Sequence, residues 1–290
     1  MQKLILCFFL CTAIHTCITA QKISGNIHIE PGKTYIISME IKNSITQQAG
    51  NQAIGFSATG SVTHSFKAIS AHKPGNTLHH QIQRLDFHFD GMGQTKSFDS
   101  DNKKDRESPS GKQLEQVLTQ EYDLWIDSSG TTMLSDPAKI NVAGYEDRMV
   151  ILNDLVKDLS AVAYPPKKDD ASFFKVLPGY AVGIGDSWGD SVNTTDMKSA
   201  TINTLSAITD STIVVSFKTA AVTKTKSEMM GMQATTRMNY SGAGTIVLDK
   251  TTGIIREKTI VTDSNGNTEA MNATLPVTGK STITIRVRQQ

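Results

Sequence analysis

Alternation of apolar and polar residues with a period of two dominates this chain. "TYIISMEI" (34–41), "IGFSATGSVTHSFKAI" (54–69), "LHHQIQRLDFHFDG" (78–91) and "EYDLWID" (121–127) alternate or are rich in β-favouring residues between Gly, Asn and Ser punctuation. The pattern resumes with "ATINTLSAI" (200–208), "STIVVSFKTAAVTK" (211–224), "TRMNYSGAGTIVLD" (236–249), "GIIREKTIVTD" (253–263) and "STITIRVR" (281–288). Thr, Val and Ile suit a pleated, half-buried surface. Two segments, Asp249–Gly253 and Asp263–Asn267, read as the hairpin turns that link successive strands. One segment breaks the rule. Between Tyr145 and Ala163 the apolar residues are Met149, Leu152, Leu155, Val156, Leu159 and Val162, a helical spacing one stripe wide. Asp147, Arg148, Asp154, Lys157 and Asp158 fill its other face, and Pro165-Pro166 ends it. Such a stripe must be buried, and the open face of a sheet is the available partner.

The expected fold is therefore mainly β and antiparallel: curved sheets or a half-barrel, built from two similar halves, with one central amphipathic helix. The boundaries are a leader over 1–20, a β-rich half over 21–137, helix and linker over 138–171, and a second β-rich half over 172–290. The polar stretch "DSDNKKDRESPSGKQ" (99–113) reads as a mobile loop. Lys3, the apolar run Leu4–Ile14 and Ile18-Thr19-Ala20 form a secretory signal, with a mature start near Gln21. No later segment reaches 18 consecutive apolar residues, so a soluble mature chain without a transmembrane helix is expected. Cys7, Cys11 and Cys17 all lie in the leader, so its removal leaves no disulfide, thiol nucleophile or Cys-based zinc site. His15-Thr16 before Cys17 disfavours lipid anchoring there. Disulfide-free export points to a bacterial periplasm or cell envelope. The formal charge of +1 implies no nucleic acid and no anionic membrane surface.

Gly185-Asp186-Ser187-Trp188-Gly189 matches G-x-S-x-G, the nucleophile elbow of serine hydrolases. An elbow needs a helix after the serine and a histidine to activate it. The residues after Ser187, "DSWGDSVNTTDMKSATINTL" from Asp186 on, carry no helical stripe, and all seven histidines (15, 28, 64, 72, 79, 80 and 88) precede it. The alternative is a glycine-permitted turn in which Asp186 bonds locally and Trp188 anchors a core. A catalytic Ser187 keeps only a small weight, and the chain reads as non-enzymatic with no cofactor. Asp86, His88 and Asp90 share one face of a strand opposite Leu85, Phe87 and Phe89, so they are candidate metal ligands or a plain solvated face. Met229, Met230, Met232 and Met238 form a cluster that could rim a site for a hydrophobic small molecule, or merely a Met-rich hairpin tip.

The leader, "VGIGDSW", "TIVVSF" and "SGAGTIVLDKTTGIIREKTIVTD" together resemble a family of uncharacterised secreted or lipid-anchored proteins of Bacteroidota. Its marks are Gly185-Asp186-Ser187-Trp188 and Gly242-x-Gly244-Thr245-Ile246-x-x-Asp249 with Gly253. The architecture this implies is analogous to the curved, helix-closed sheets of lipoprotein carriers. The resemblance implies no activity and transfers no residue role. The expected function is a non-enzymatic envelope protein that binds a hydrophobic ligand or a partner protein. The alternative is a structural or assembly component of the envelope.

Overall fold

All the alternating stretches pair into a single antiparallel, curved and open sheet of twelve strands. The computed structural model describes residues 21–72, 75–138, 150–229, 232–270 and 273–290. The strands are β1 (Thr34–Ala49), β2 (Gln52–His72), β3 (Gly75–Gly91), β4 (Gln94–Asp99), β5 (Glu121–Asp127) and β6 (Thr132–Asp136). The rest are β7 (Ser187–Asn193), β8 (Met197–Ile208), β9 (Thr212–Met229), β10 (Met232–Asp249), β11 (Ile255–Ala270) and β12 (Ala273–Gln289). Their order across the sheet is β6-β5-β3-β2-β1-β12-β11-β10-β9-β8-β7, with β4 also on β3. The first and last strands pair from Tyr35↔Gln289 to Gln47↔Val277, which fuses the two β-rich stretches into one surface.

Strict register sorts side chains onto two faces. The inner face carries Tyr35, Ile37, Met39 and Ile41 from β1, Val62 and Phe66 from β2, and Leu78, Leu85, Phe87 and Phe89 from β3, all buried. One register row on the outer face runs Ser187, Thr204, Ser216, Thr245, Thr259, Thr284, Glu40, Ser61, Asp86 and Asp99. Hydroxyls and carboxylates line that row, whereas the wall of a membrane barrel is apolar toward lipid. Among the described residues no helix is long and apolar enough to cross a membrane.

Helix α3 (Val150–Leu159) lies within the helical stripe, on the inner face against β1 and β2. Leu152, Leu155, Val156 and Leu159 are buried in the larger core cluster, and Val162 packs on its margin; Met149 lies outside the described residues. A 3-10 turn, Ala161–Ala163, follows. Gly60 on β2 makes the seat: a Cβ there would lie 2.6 Å from Leu159 Cδ1, so a larger residue would push that side chain aside. A second cluster joins Leu205, Ile213, Val215, Phe217, Ile246, Leu248 and Ile255 with Leu177 and Val182.

Two local expectations are corrected. Residues 99–113 are not a loop, because they hold α1 (Lys103–Glu107) and the start of α2 (Pro109–Leu118). Ser108 Oγ accepts from the Gly111 N–H at 3.0 Å, Pro109 opens the helix, and Leu114 and Val117 are buried. The stripe is too short to stand out by periodicity, although Ser108-Pro109 is a helix-start signal. Asp263–Asn267 is not a turn but the middle of β11, zipped to β10 on one side and β12 on the other. Gly266 is required by crowding instead: a Cβ there would collide with the Arg237 carbonyl oxygen. Asp249–Gly253 is a turn as expected, with Asp249 accepting from the N–H groups of Thr251 and Thr252 and Gly253 at φ +70°.

Gly60→Val should lift α3 from its seat and lower stability by about 1–3 kcal/mol through overpacking. Chemical denaturation of the full chain, followed by circular dichroism, checks this.

Candidate functional site

The motif that spells an esterase elbow builds one edge of the sheet. Gly185 takes φ +93° and donates to the Leu205 carbonyl at 2.8 Å, while Leu205 N–H donates to Asp186 O at 3.0 Å. The Asp186 carboxylate accepts from Gly183 N–H at 2.8 Å and locks the turn. The chain then enters β7, and Trp188 packs against the second core cluster with its Nε1 donating to the Val176 carbonyl at 3.2 Å. Gly189 lies where a Cβ would meet the Thr201 carbonyl oxygen at 2.6 Å. Ser187 points outward, and its Oγ shares a hydrogen bond with Thr204 Oγ1 at 2.8 Å. The β7–β8 ladder follows it, where an elbow would have a helix.

Strand β7 pairs with β8 on one side, and among the described residues no strand covers the other. An uncovered edge presents backbone N–H and C=O groups to any extended chain, and soluble proteins usually guard it with Lys, Pro or bulges. The sequence of β7, "SWGDSVN", holds Asp190 as its single charge and neither Lys nor Pro. Large apolar side chains lie on both faces of this edge pair. Ile202 on β8 is 59% exposed on the outer face, Val192 on β7 45% and Met197 on β8 39% on the other face, and Ile184 just before β7 is 60% exposed. Scattered exposed apolar residues are ordinary, but several flanking one open edge mark an interaction surface.

The other sequence candidates lie elsewhere. Asp86, His88 and Asp90 share the outer face of β3, as alternation requires. Asp86 accepts from Ser61 Oγ at 2.6 Å and lies 3.6 Å from Arg84 Nε, and Arg84 also reaches Asp99 at 3.0 Å and Asp101 at 3.3 Å. His88 and Asp90 are exposed, and among the described residues no group of three acidic, His or Cys side chains is placed to hold a metal. Met238 is buried on the inner face of β10 beside Gly266. Met230 lies outside the described residues. Met229 and Met232 end their strands opposite one another, and their side chains lie outside what is described. Two hollows among the described residues are depressions of about 340 Å3 beside Tyr35, Ile254 and Arg256 and about 320 Å3 beside Trp125 and Leu134. Neither is lined by Met or Phe.

Helix α3 turns Asp154 and Asp158 away from the core. Both are exposed, yet the curved sheet stands close around them. Loss of hydration raises the Asp158 pKa to about 6, helped by the neighbouring Asp154 charge and opposed by Lys157. Tyr240 on β10 is raised by burial and also feels both carboxylates. Lys258 on β11 is lowered by burial, and its ammonium stands 5.4 Å from the centre of the Phe217 ring. Sequence reading placed Asp154 and Asp158 on the polar face of the helix but did not connect them with Tyr240, because only the tertiary fold brings β10 near them. It also missed the contact between His64 and His80, a buried pair formed by neighbouring inner-face positions on β2 and β3.

The turn geometry separates two glycines that look alike in sequence. Gly185→Ala should cost about 1 kcal/mol, because alanine is strained at a positive φ. Gly183→Ala, with no neighbour nearer than 3.8 Å, should be neutral or slightly stabilising. Thermal melting of the two variants tests the contrast.

The model of a family of unknown function (DUF6263) matches residues 167–255, which span β7 to β10 and the turn into β11. No curated protein matches the chain. Among solved structures, lipovitellin, solved for its lipid–protein interactions, is similar over 91% of this chain with 9% identity and a TM-score of 0.48. The chain spans 26% of that lipovitellin chain, about a quarter of its length. The beta domain of the Bordetella autotransporter BrkA is similar over 89% of this chain and 99% of its own, with 8% identity and a TM-score of 0.28. The COG4313 outer membrane channel from Pseudomonas putida F1 is similar over 91% of this chain and 98% of its own, with 6% identity and a TM-score of 0.22.

Proposed function

We propose that this chain is an exported, non-enzymatic envelope protein that binds a partner protein by taking an extended strand of it onto the β7 edge. The observation that carries the reading is the coincidence of an unguarded edge strand with four exposed apolar side chains on or next to it: Ile184, Val192, Met197 and Ile202. Main-chain hydrogen bonds along β7 supply affinity, and the flanking apolar groups supply selectivity. The hydrophobic-ligand alternative gains less support. Helix α3, Phe173 and Phe174 occupy the inner face, and the two depressions lack the Met and Phe lining that a lipid site would use. Export rests on the leader motif and on an outer face rich in hydroxyls.

Site-specific photo-crosslinking in the native host tests the edge. A benzophenone residue at Val192 should give a discrete protein adduct, and one at Lys280, exposed on β12, should give none. Adding Ile184→Lys and Ile202→Lys should cut the Val192 adduct at least about tenfold. Exposed substitutions of this kind leave stability within about 0.5 kcal/mol. Equal adducts at both sites, or none at Val192, overturn the reading.

A further inference from the structure

His64 on β2 and His80 on β3 are both fully buried, and His64 Nδ1 lies 3.0 Å from His80 Nε2. One ring must donate there and the other accept, so the contact holds a single proton. The remaining nitrogens, His64 Nε2 and His80 Nδ1, are buried without a hydrogen-bond partner. Aromatic rings enclose the pair: Tyr122 stacks on His80 at 4.5 Å and Phe66 lies 4.7 Å from it. Above the pair sits the C-terminal end of α3. The Leu159 carbonyl favours a proton on His64 without reaching good geometry, and Tyr122 Oη donates to the Val162 carbonyl at 2.8 Å.

No carboxylate on the elements around the pair compensates an added charge. On β5, Tyr122 is the titratable inner-face group, while Glu121 and Asp123 lie on the outer face with His79, 2.7 Å from Asp123 and 3.6 Å from Glu121. On β2, Lys67 pairs in register with His79 on that outer face. On α3, Asp154, Lys157 and Asp158 are exposed on the side away from the buried stripe. A further proton therefore places either two N–H groups head to head or a bare imidazolium N–H in an apolar pocket.

We propose that the His64–His80 pair is a proton-operated latch, whose protonation releases α3 and the 161–163 turn from the inner face while the sheet stays folded. The helix is the element that yields. Its apolar stripe packs on the sheet and the turn after it is tied by the Tyr122–Val162 bond, whereas every strand beneath it is zipped by backbone ladders on both sides.

The sign follows from linkage. Burial lowers His64 to about 4, and burial with the neighbouring His64 and His79 charges lowers His80 to about 3. Folded pKa values below the ordinary 6.5 mean that this stabilisation is complete above pH 6.5 and is lost as pH falls toward the folded values. Between pH 7 and pH 5 each imidazole that regains its ordinary value favours release by on the order of tenfold. Asp158 and Asp154 oppose this, because their raised pKa values favour the docked, protonated helix in the same window, an effect that their exposure to solvent weakens. The two buried imidazoles outweigh the two solvated carboxylates, so acidification favours release.

The test uses the full chain with Cys7, Cys11 and Cys17 replaced by serine and one reporter, Val156→Cys, under α3. Thiol labelling with 4,4′-dithiodipyridine, corrected with an exposed cysteine peptide, should accelerate about severalfold from pH 7 to pH 5. A second reporter, Val215→Cys in the other cluster, should not accelerate. In the His64→Leu/His80→Leu background the acceleration at position 156 should vanish. Protection at position 156 at pH 5, joint opening of both reporters, or persistence without the histidines overturns the latch. Should the double variant not fold, 15N-imidazole spectra of the wild type decide. Two rings that stay neutral until the α3 reporter opens support the proposal. Titration of all rings near 6.5 in the docked state overturns it.

Discussion

The pairing of the first strand with the last governs this molecule. Because β1 and β12 zip together from Tyr35↔Gln289 to Gln47↔Val277, both termini of the sheet-forming chain sit mid-sheet. The strands in the middle of the sequence, β6 and β7, become its two edges. The chain between them must travel from one edge to the other, and its apolar stripe can be buried only on the inner face it crosses. The position of α3, the open edge at β7 and the filled interior all follow from one antiparallel ladder.

Burial then divides the inner face. Leu152, Leu155, Val156 and Leu159 close the apolar floor of β1, β2 and β3, with Gly60 permitting the close approach. The same orientation leaves Asp154 and Asp158 facing the polar inner surface of β10 and β11, where Thr262, Ser264 and Tyr240 stand in place of large aliphatic residues. It also buries His64 and His80 under the end of the helix. One helix docking thus creates both a carboxylate that is hard to ionise and an imidazole pair that is hard to protonate. Their opposite pH responses meet on the same element.

One row of the outer face is polar from edge strand to edge strand. The row from Ser187 to Asp99 presents hydroxyl and carboxylate groups across the width of the sheet, and Arg84 bridges three of the carboxylates near its end. Such a surface is satisfied by water. At β7, beside Ile184 and Ile202, the outward backbone groups are paired with no other strand among the described residues.

Much of this was legible beforehand for a physical reason. A strand with one buried face must alternate, so "EYDLWID" maps onto β5 and "TYIISMEI" onto the core-facing part of β1. The stripe from Leu152 to Leu159 could bury itself only as a helix. The missing helix and histidine around Ser187 already set that motif apart from a hydrolase elbow. Periodicity is a local property, however, and it does not say which strands become neighbours. That Asp263–Asn267 lies within a strand, that Ser108-Pro109 opens a helix, and that His64 meets His80 depend on register between distant segments. The sequence by itself determined most of the long strands, helix α3 and their buried faces, because each follows from where nearby apolar atoms can leave water. Tertiary structure alone decided the edges, the meeting of His64 with His80 and the position of Asp154 and Asp158 beside Tyr240, because each arises from the β1–β12 ladder and the helix laid across the sheet.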